Sequence, residues 1–384
     1  MQAITWLTIS SAFVLGMVLA LLGSIKLELG RRLNMSETRT GTLLSVLHLT
    51  LIPLMLIGGV LLDRLGPSTM IAIGSLFVCL ALYTFTAGTR YGTMLAAVVL
   101  LGIGAGCMSP ATIWLMPHAF FPDKLGASLN LGNVFFALGA LITPTLAEVL
   151  LIAIGFQRAL LSLCAVALVP LIIMPFASSS WQPGYSESGL NLTDPDLWLA
   201  GMVMAFYGPI EYFLSTWTTT FLTYLGHREE RAVWLLSAFW LAFLAGRLIM
   251  ALLEIQFPDI RWPQAEPWVI VALAFFVAVA LGNLAGAVNR QRAAWGLLLL
   301  GLLMGPIFPT LVSVLFNEKS ESEWGTAYGA MFAIGSIGSF VLPPAIGAYA
   351  RRTNIQTALR IPLLVSLAML VGSVILSLVA ITGR

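Results

Sequence analysis

Long apolar runs dominate this chain, and short polar segments separate them. Each run is about 20 residues long, which a helix needs to cross a hydrocarbon core about 30 Å thick. Runs without alternating polarity are typical of membrane helices and not of barrel strands. The pattern predicts an all-α polytopic membrane protein with twelve transmembrane helices, at residues 4–27, 40–62, 69–88, 92–116, 126–149, 156–178, 197–224, 231–253, 267–288, 294–316, 325–349 and 358–381.

The longest polar stretch runs from Ala177 to Asp196 and contains three consecutive serines, a proline and a glycine. It lies between the sixth and seventh predicted helices, where it divides the chain nearly in half. Stretches of this composition are typical of linkers. We therefore expect an N-terminal six-helix bundle at residues 1–178, a central linker at 179–196 and a C-terminal six-helix bundle at 197–384.

The two halves repeat each other, which indicates pseudo-symmetry. Residues 16–25 match residues 201–210 at six of ten positions when the chain is shifted by 185, and Lys26 then falls on Glu211. A shift of 199 superposes glycines and prolines, which a repeated fold should retain for backbone and packing reasons: Gly102 on Gly301, Gly106 on Gly305, Pro110 on Pro309, Gly126 on Gly325, Gly139 on Gly338 and Pro144 on Pro343. Two parallel repeats predict a binding site between them, near the bilayer midplane.

Composition narrows the function classes. Of 384 residues, 59% are hydrophobic and 9% are charged, whereas soluble domains carry about 25% charged residues. The sequence contains no nucleophile–base pairing, metal-ligand cluster or nucleotide-binding loop, so we expect no enzyme, no cofactor and no direct drive by ATP. A net charge of +2 gives no indication of nucleic-acid binding. The expected partners are a lipid bilayer, a small solute and a coupling ion, and one chain with two bundles suffices as a monomer.

A motif between the second and third helices carries a family resemblance. The segment Gly59-Val-Leu-Leu-Asp63-Arg64-Leu-Gly66 resembles the loop motif G-x-x-x-D-R-x-G of the major facilitator superfamily, and the resemblance covers the whole chain. It implies a secondary active transporter that works by alternating access. It also implies that Asp63 and Arg64 belong to a charge network that latches the cytoplasmic side. The usual basic residues after the motif are absent here, which predicts a weaker latch.

A second likeness concerns helices seven and eight. The chain is similar to the fucose/glucose–proton symporter branch of that family through two patterns, Y-x-G-x-E-x₅-W at Tyr207, Glu211 and Trp217, and W-x₅-G-R at Trp240, Gly246 and Arg247. Pro209 replaces the expected glycine, and the acidic residues of that branch's first and fourth helices have no counterparts here. The resemblance implies a sugar-like substrate and proton coupling.

Ionisable residues inside membrane helices are functional hypotheses, because a charge at the bilayer centre costs at least about 2.5 kcal/mol. Glu211 is the best candidate for proton coupling, and its alternative is a static interhelical hydrogen bond. Lys26 either snorkels to the interface or forms an ion pair with Glu211 that breaks during alternation. Arg247 either binds an anionic substrate, since its charge is permanent, or serves as a gate.

Neutral polar and aromatic residues supply further candidates for a substrate site. Asn130 and Asn133 lie one turn apart, so they form a polar face on an apolar helix; interhelical hydrogen bonding is the alternative. His48 titrates near neutral pH or is a satisfied structural histidine. Interior aromatic residues either pack or line a site, and sugar sites favour flat aromatic faces. The candidates for substrate binding are thus Lys26, His48, Trp114, Asn130, Asn133, Tyr207, Glu211, Trp217 and Trp240.

Charge distribution conflicts with the orientation that the resemblance implies. With both termini cytoplasmic, twelve basic residues fall on the external side and five on the cytoplasmic side, which opposes the positive-inside rule. We retain the family orientation and expect a multi-pass protein of the inner (plasma) membrane. The preferred function is proton-coupled transport of a small, polar, sugar-like organic solute. The alternatives are an organic-anion (carboxylate) transporter of the same fold and a non-transporting membrane receptor or scaffold.

Overall fold

The computed structural model describes residues 2–33, 37–177, 194–287 and 289–382, and within these ranges it contains helices and no strand. The helices are α1 (Gln2–Arg32), α2 (Glu37–Leu65), α3 (Pro67–Ala87), α4 (Tyr91–Ala119), α5 (Leu125–Ile154), α6 (Phe156–Ile173), α7 (Pro195–Tyr224), α8 (Glu229–Gln256), α9 (Trp262–Ala285), α10 (Arg290–Met304), α11 (Ile307–Asn317), α12 (Trp324–Arg352), α13 (Ile355–Ala358) and α14 (Arg360–Thr382). Short 3₁₀ helices occur at Met174–Phe176 and Glu321–Glu323.

The helices correspond to the predicted membrane spans. Within the described ranges, eleven helical segments are long and apolar enough to cross a membrane. The segment Arg290–Asn317 combines α10 with α11, and Ile355–Ala380 combines α13 with α14. The helix α12, whose side chains are described in part, occupies the place of the predicted eleventh span. The all-helical polytopic fold class is therefore confirmed.

The tenth span differs from its prediction as one continuous helix at 294–316. The helix α10 stops before Gly305-Pro306, and α11 begins directly after this pair. Because proline has no N–H group, Pro306 and Pro309 leave the carbonyls of Leu302 and Gly305 without a helical donor. Apolarity alone does not detect such a break, since the residues on both sides of it are equally hydrophobic.

Close helix crossings explain why the repeat retains particular glycines. A Cβ on Gly139 of α5 would overlap the backbone oxygen of Phe13 on α1. A Cβ on Gly338 of α12 would likewise overlap the backbone oxygen of Ala205 on α7. These two glycines superpose in the 199-residue repeat. A crossing at which backbones meet directly is therefore repeated in both halves of the chain, an arrangement favoured by small residues in membranes.

The chain forms two compact units, each assembled mainly from one half of the sequence. Unit 1 comprises Met1–Asp123, Gly132–Leu190 and Glu321–Gly329, and unit 2 comprises Lys124–Leu131, Asn191–Ser320 and Ala330–Arg384. The start of α5 thus packs within unit 2, and the start of α12 packs within unit 1. These two segments correspond to each other in the 199-residue repeat. Most of the predicted linker, residues 178–193, lies outside the described residues, and the boundaries at 178 and 197 stay predictions.

Candidate functional site

Three residues of the sequence patterns in helices seven and eight come together in unit 2. Tyr207 and Arg247 are buried, with 1% and 3% of their surface exposed, whereas Glu211 is partly exposed. The Tyr207 hydroxyl is within hydrogen-bonding reach of both the Glu211 carboxylate and the Arg247 guanidinium. Arg247 also attracts Glu211 electrostatically. The cluster therefore combines a carboxylate, a phenol and a permanent cation inside a membrane span.

The break after α10 positions the arginine of this cluster. Arg247 Nε donates to the carbonyl oxygen of Gly305 over 3.0 Å, the oxygen that Pro309 leaves without a helical donor. Tyr207 donates to the neighbouring carbonyl of Met304 over 3.4 Å. Local sequence chemistry thus creates a buried acceptor, and the arginine satisfies it as buried polar groups require.

The glycine before the arginine lets the two helices approach. A Cβ on Gly246 would overlap the carbonyl oxygen of Leu302, the other oxygen that a proline leaves free. The guanidinium of Arg247 also lies 4.6 Å from the ring centroid of Phe243, within the range of a cation–π contact. The Gly-Arg pair of the sequence pattern therefore fits helix α8 against the break between α10 and α11.

The arrangement has two chemical states. With Glu211 ionised, its charge is opposed by Arg247, and the single Tyr207 hydroxyl hydrogen can be donated to the carboxylate in place of the Met304 carbonyl. With Glu211 protonated, the cation stays bound to Gly305 and the carboxyl group becomes a hydrogen-bond donor. A solute hydroxyl can exchange with Tyr207 at the carboxylate in either state. The cluster is therefore suited to binding a proton and a hydroxyl-bearing solute at the same place.

The predicted pairing of Lys26 with Glu211 falls outside the described residues. The backbone of Lys26 belongs to α1, but its side chain is not described. Arg247 is a cation that the structure places beside Glu211, whereas its predicted roles were to bind an anionic substrate or to serve as a gate. The sequence contains a signal for this proximity. Tyr207 and Glu211 belong to the pattern in helix seven, and Arg247 belongs to the pattern in the next helix.

The predicted gating residue Asp63 caps a helix within unit 1. Its carboxylate accepts hydrogen bonds from the backbone N–H groups of Gly325 and Thr326, over 2.9 and 2.7 Å, and from the Thr326 hydroxyl. These N–H groups stand at the start of α12, where no intrahelical acceptor exists and the helix dipole is positive. A Cβ on Gly59 would overlap the Gly325 oxygen, so the motif glycine brings α2 close enough for the contact. Arg64, the second predicted gating residue, is exposed.

The predicted polar face on α5 includes a hydrogen bond to another helix, which is the alternative to substrate binding at this face. Asn130 is fully buried and its Nδ2 donates to the Gly126 oxygen over 3.0 Å and to the Thr310 hydroxyl over 3.3 Å. Asn133 is 3% exposed and its Nδ2 lies 3.7 Å from the sulfur of Met116. Their predicted part in substrate binding stays a prediction.

The remaining candidates occupy different surroundings. Trp114 is buried and stacks on His118 with ring centroids 4.0 Å apart. Trp240 is partly exposed and meets the edges of Phe239 and Phe243. Trp217 is also partly exposed, and His48 is exposed. Their roles as substrate ligands are likewise predictions that the contacts leave open.

Sequence analysis did not single out two buried glutamates, Glu254 and Glu266. Both are 1% exposed, although each lies near the end of a membrane helix, where hydropathy alone suggests an interfacial side chain. A buried hydrogen bond of 2.9 Å between Ser109 and Tyr328 also went unpredicted. The repeat gives an indirect sequence signal for the carboxylates. Gly126 corresponds to Gly325, and the structure places each of these glycines against a carboxylate.

Comparisons with known proteins extend the resemblance found in the motifs. A sequence model described as Major Facilitator Superfamily matches residues 7–343. A glucose/galactose transporter of Brucella abortus biovar 1 (strain 9-941) is 24% identical over 332 residues, covering 80% of this chain and 77% of that protein. The Escherichia coli fucose–proton symporter FucP has a TM-score of 0.79 at 18% identity, with 96% and 97% of the two chains covered.

A human organic anion transporter, MFSD10, shares the fold with a TM-score of 0.74 at 16% identity, covering 97% of this chain and 98% of that chain. At these identities the structural likenesses establish the fold alone. The family match covers most of the chain and includes the motif around Asp63. The chain therefore belongs to the Major Facilitator Superfamily, and it is a multi-pass membrane transporter and not an enzyme.

Proposed function

We propose that this transporter moves a small neutral solute rich in hydroxyl groups, of the sugar type, by alternating access and together with a proton. The observation that carries the proposal is the cluster of Tyr207, Glu211 and Arg247. Its carboxylate lies within the membrane-spanning helix Pro195–Tyr224 and is partly exposed. A carboxylate in such a place marks a substrate or proton pathway more often than a structural contact.

Proton coupling follows from the charge balance of the cluster. Protonation of Glu211 removes its attraction to Arg247, while Arg247 keeps its bond to Gly305. The proton therefore changes the interactions of the carboxyl group and leaves the cation in place. If the solute binds more tightly to one protonation state, the binding of solute and proton is coupled by linkage.

A sugar-type solute fits the neighbouring groups. Tyr207 and Glu211 are hydroxyl-binding groups one turn apart, and Trp240 presents a partly exposed aromatic face on α8. The relatives named as a glucose/galactose transporter and a fucose–proton symporter support this choice of substrate class. We also assign Asp63 and Arg64 to a gate, with Asp63 as the residue that holds the start of α12.

Transport by the purified protein in liposomes tests the proposal. Uptake of neutral sugars, sugar acids and small carboxylates is measured with and without an imposed proton gradient. A neutral sugar should accumulate only with the gradient. Glu211→Gln should abolish this accumulation and retain exchange of internal for external sugar, because exchange requires no release of the proton. Glu229→Gln, at an exposed carboxylate at the start of α8, is the matched control and should leave both activities unchanged.

Other outcomes lead to the alternatives. Uptake confined to anions and lost in Lys26→Ala would identify an organic-anion transporter. Specific binding of a solute without any flux would identify a receptor. Full transport at every pH by both Lys26→Ala and Glu211→Gln would refute the roles of these two residues. A neutral sugar that accumulates without a proton gradient would refute the coupling.

A further inference from the structure

Two glutamates outside the proposed transport chemistry lie side by side in unit 2. Glu254 is in the last turn of α8, and Glu266 is in the second turn of α9. Each side chain is 1% exposed. A Cβ on Gly126 would overlap carboxylate oxygens of both, which places Glu254 Oε1 and Glu266 Oε1 within about 5 Å of one another. Two carboxyl groups are therefore adjacent and shielded from water.

Two neutral side chains donate hydrogen bonds to Glu266. Its Oε1 accepts a hydrogen bond of 2.9 Å from the Ser313 hydroxyl, and its Oε2 accepts one of 3.2 Å from the Asn317 amide. Both donors belong to α11, in which Asn317 is the last residue. These groups stabilise a carboxylate by hydrogen bonding without supplying a positive charge.

The surroundings of Glu254 include one cation. Its carboxylate accepts the backbone N–H of Ala127, in the first turn of α5, and is attracted by Lys124. Lys124 Nζ also donates to the carbonyl oxygens of Glu254 and Ile255, over 3.3 and 3.2 Å, at the negative end of α8. Lys124 thus supplies one positive charge beside Glu254, whereas the two ionised carboxylates together carry two negative charges.

One oxygen of the pair lacks a partner. Glu254 Oε1 is buried and has no hydrogen-bond partner among the described residues. A buried acceptor without a donor is unfavourable, and the penalty is larger for an ionised group. A proton on this oxygen removes the penalty and halves the charge of the pair, because adjacent buried carboxylates do not readily ionise together. No third His, Cys, Asp or Glu joins the pair within the described ranges, so a proton fits the site better than a metal ion.

We propose that Glu254 and Glu266 bind a single shared proton, and that this proton strengthens the attachment of the start of α5 to α8 and α9. The proton comes from solvent near the loop between α8 and α9. Its binding changes the net charge of the two carboxyl groups from −2 to −1. Its release restores repulsion between the carboxylates at the place where Ala127 and Lys124 are held. The site is separate from Glu211 and does not depend on the proposed substrate.

The corresponding contact in unit 1 has a different chemistry. Asp63 also accepts N–H groups at the start of a helix, and Gly325 and Thr326 correspond to Gly126 and Ala127 in the repeat. There, both oxygens of Asp63 accept hydrogen bonds from the start of α12. The unpartnered oxygen and the adjacent second buried carboxyl group are features of the α5 contact.

Infrared difference spectroscopy of the purified protein tests the proposal. The experiments use the Glu211→Gln background, so that the result is independent of the proposed coupling residue. The carbonyl stretch of a protonated carboxyl group should be present near neutral pH and should disappear as the pH rises. A shared proton predicts that Glu254→Gln and Glu266→Gln each shift the loss of this band to lower pH, because the remaining carboxyl group no longer faces a second negative charge. An unchanged pH dependence of the band in either single variant would place the proton on one residue and overturn the sharing.

Thermal unfolding provides a second, independent measurement, and it begins with a protein in which both glutamates are intact. In the Glu211→Gln protein, the folded pair holds a proton that the unfolded chain has released, so stability should decrease as the pH rises from about 5 to 8. The Glu254→Gln/Glu266→Gln protein should show a smaller decrease, and a decrease as large as that of the Glu211→Gln protein would refute the proposal. Sodium chloride and choline chloride should give the same band. Selective loss of the band in sodium at constant pH would identify a cation site instead.

Discussion

Replacement of Arg247 by methionine tests how the cluster in unit 2 is held together. Methionine has a similar length and no charge, so Arg247→Met removes the interactions of the guanidinium and leaves apolar packing largely intact. The two with the largest expected cost are the attraction to Glu211 and the hydrogen bond to Gly305; the contacts with the Tyr207 hydroxyl and the Phe243 ring are lost as well. The variant leaves a carboxylate without its cation and a buried carbonyl without its donor.

The magnitude of the effect follows from these two losses. Removing one partner of a buried ion pair costs about 3–5 kcal/mol, and an unsatisfied buried carbonyl adds about 1–3 kcal/mol. Glu211 is partly exposed, so the lower ends of both ranges apply and the sum is about 4 kcal/mol. For a unit of this size, 1 kcal/mol shifts the unfolding temperature by about 2–4 °C. We therefore expect Arg247→Met to unfold roughly 8–16 °C below the unmodified protein.

A double-mutant cycle isolates the ion pair from the hydrogen bond to Gly305. Thermal unfolding is measured for Arg247→Met, for Glu211→Gln and for the double variant. The double variant should be more stable than the sum of the single effects predicts, with an interaction energy of about 1–3 kcal/mol. The exposed pair Arg228 and Glu230, 3.9 Å apart, supplies the control cycle.

The control cycle on Arg228 and Glu230 gives the interaction energy that the pair of Arg247 and Glu211 must exceed. Exposed ion pairs contribute about 0–1 kcal/mol, so an interaction energy for Arg247 and Glu211 no larger than that of Arg228 and Glu230 would exclude a stabilising buried pair. An unfolding temperature for Arg247→Met equal to that of the unmodified protein would also exclude the hydrogen bond to Gly305 as a structural element.

Three further changes have expected outcomes. Asp63→Asn removes the charge that holds the start of α12, so labelling of a cysteine introduced at Thr326 should become several-fold faster; an unchanged rate would exclude the latch. Gly246→Ala should lower the unfolding temperature because its Cβ overlaps Leu302, whereas the control Gly282→Ala, with no neighbour closer than 3.9 Å, should not lower it. A cysteine introduced at position 185 should be protected from an impermeant reagent in whole cells, and a cysteine introduced at the exposed Thr353 should be labelled by it. The reverse pattern would invert the proposed orientation.

Much of the fold follows from the sequence because a membrane imposes one dominant rule. Each apolar run must satisfy its own backbone hydrogen bonds, so length and hydropathy predict the helices directly. The repeat adds packing information, as Gly139 and Gly338 illustrate, since both stand at a close crossing. The break at Gly305-Pro306 escaped the prediction because hydropathy does not register which carbonyls lose their donors.

The site was predicted in part, and the missing part depends on tertiary contacts. Tyr207, Glu211 and Arg247 were each singled out from sequence patterns, but the proximity of Arg247 to Glu211 depends on how α8 packs against the break after α10. Glu254 and Glu266 look interfacial in the sequence because they lie near helix ends. Their burial depends on the start of α5, a segment distant in sequence that packs within unit 2.

The repeat also explains why the candidate chemistry lies in the second half. In both units a proline leaves the carbonyl four residues before it without a helical donor, and the two carbonyls, of Gly106 and Gly305, correspond in the 199-residue repeat. In unit 1 the backbone at Gly58 packs directly against the Gly106 oxygen, where a Cβ would overlap it. In unit 2 the Arg247 guanidinium binds the Gly305 oxygen instead. The same structural requirement is therefore met by a close backbone contact in one half and by a cation in the other. The arginine in unit 2 places a permanent charge beside Glu211, whereas the backbone contact in unit 1 introduces no charge. The ionisable cluster therefore lies at a point where the two repeats differ.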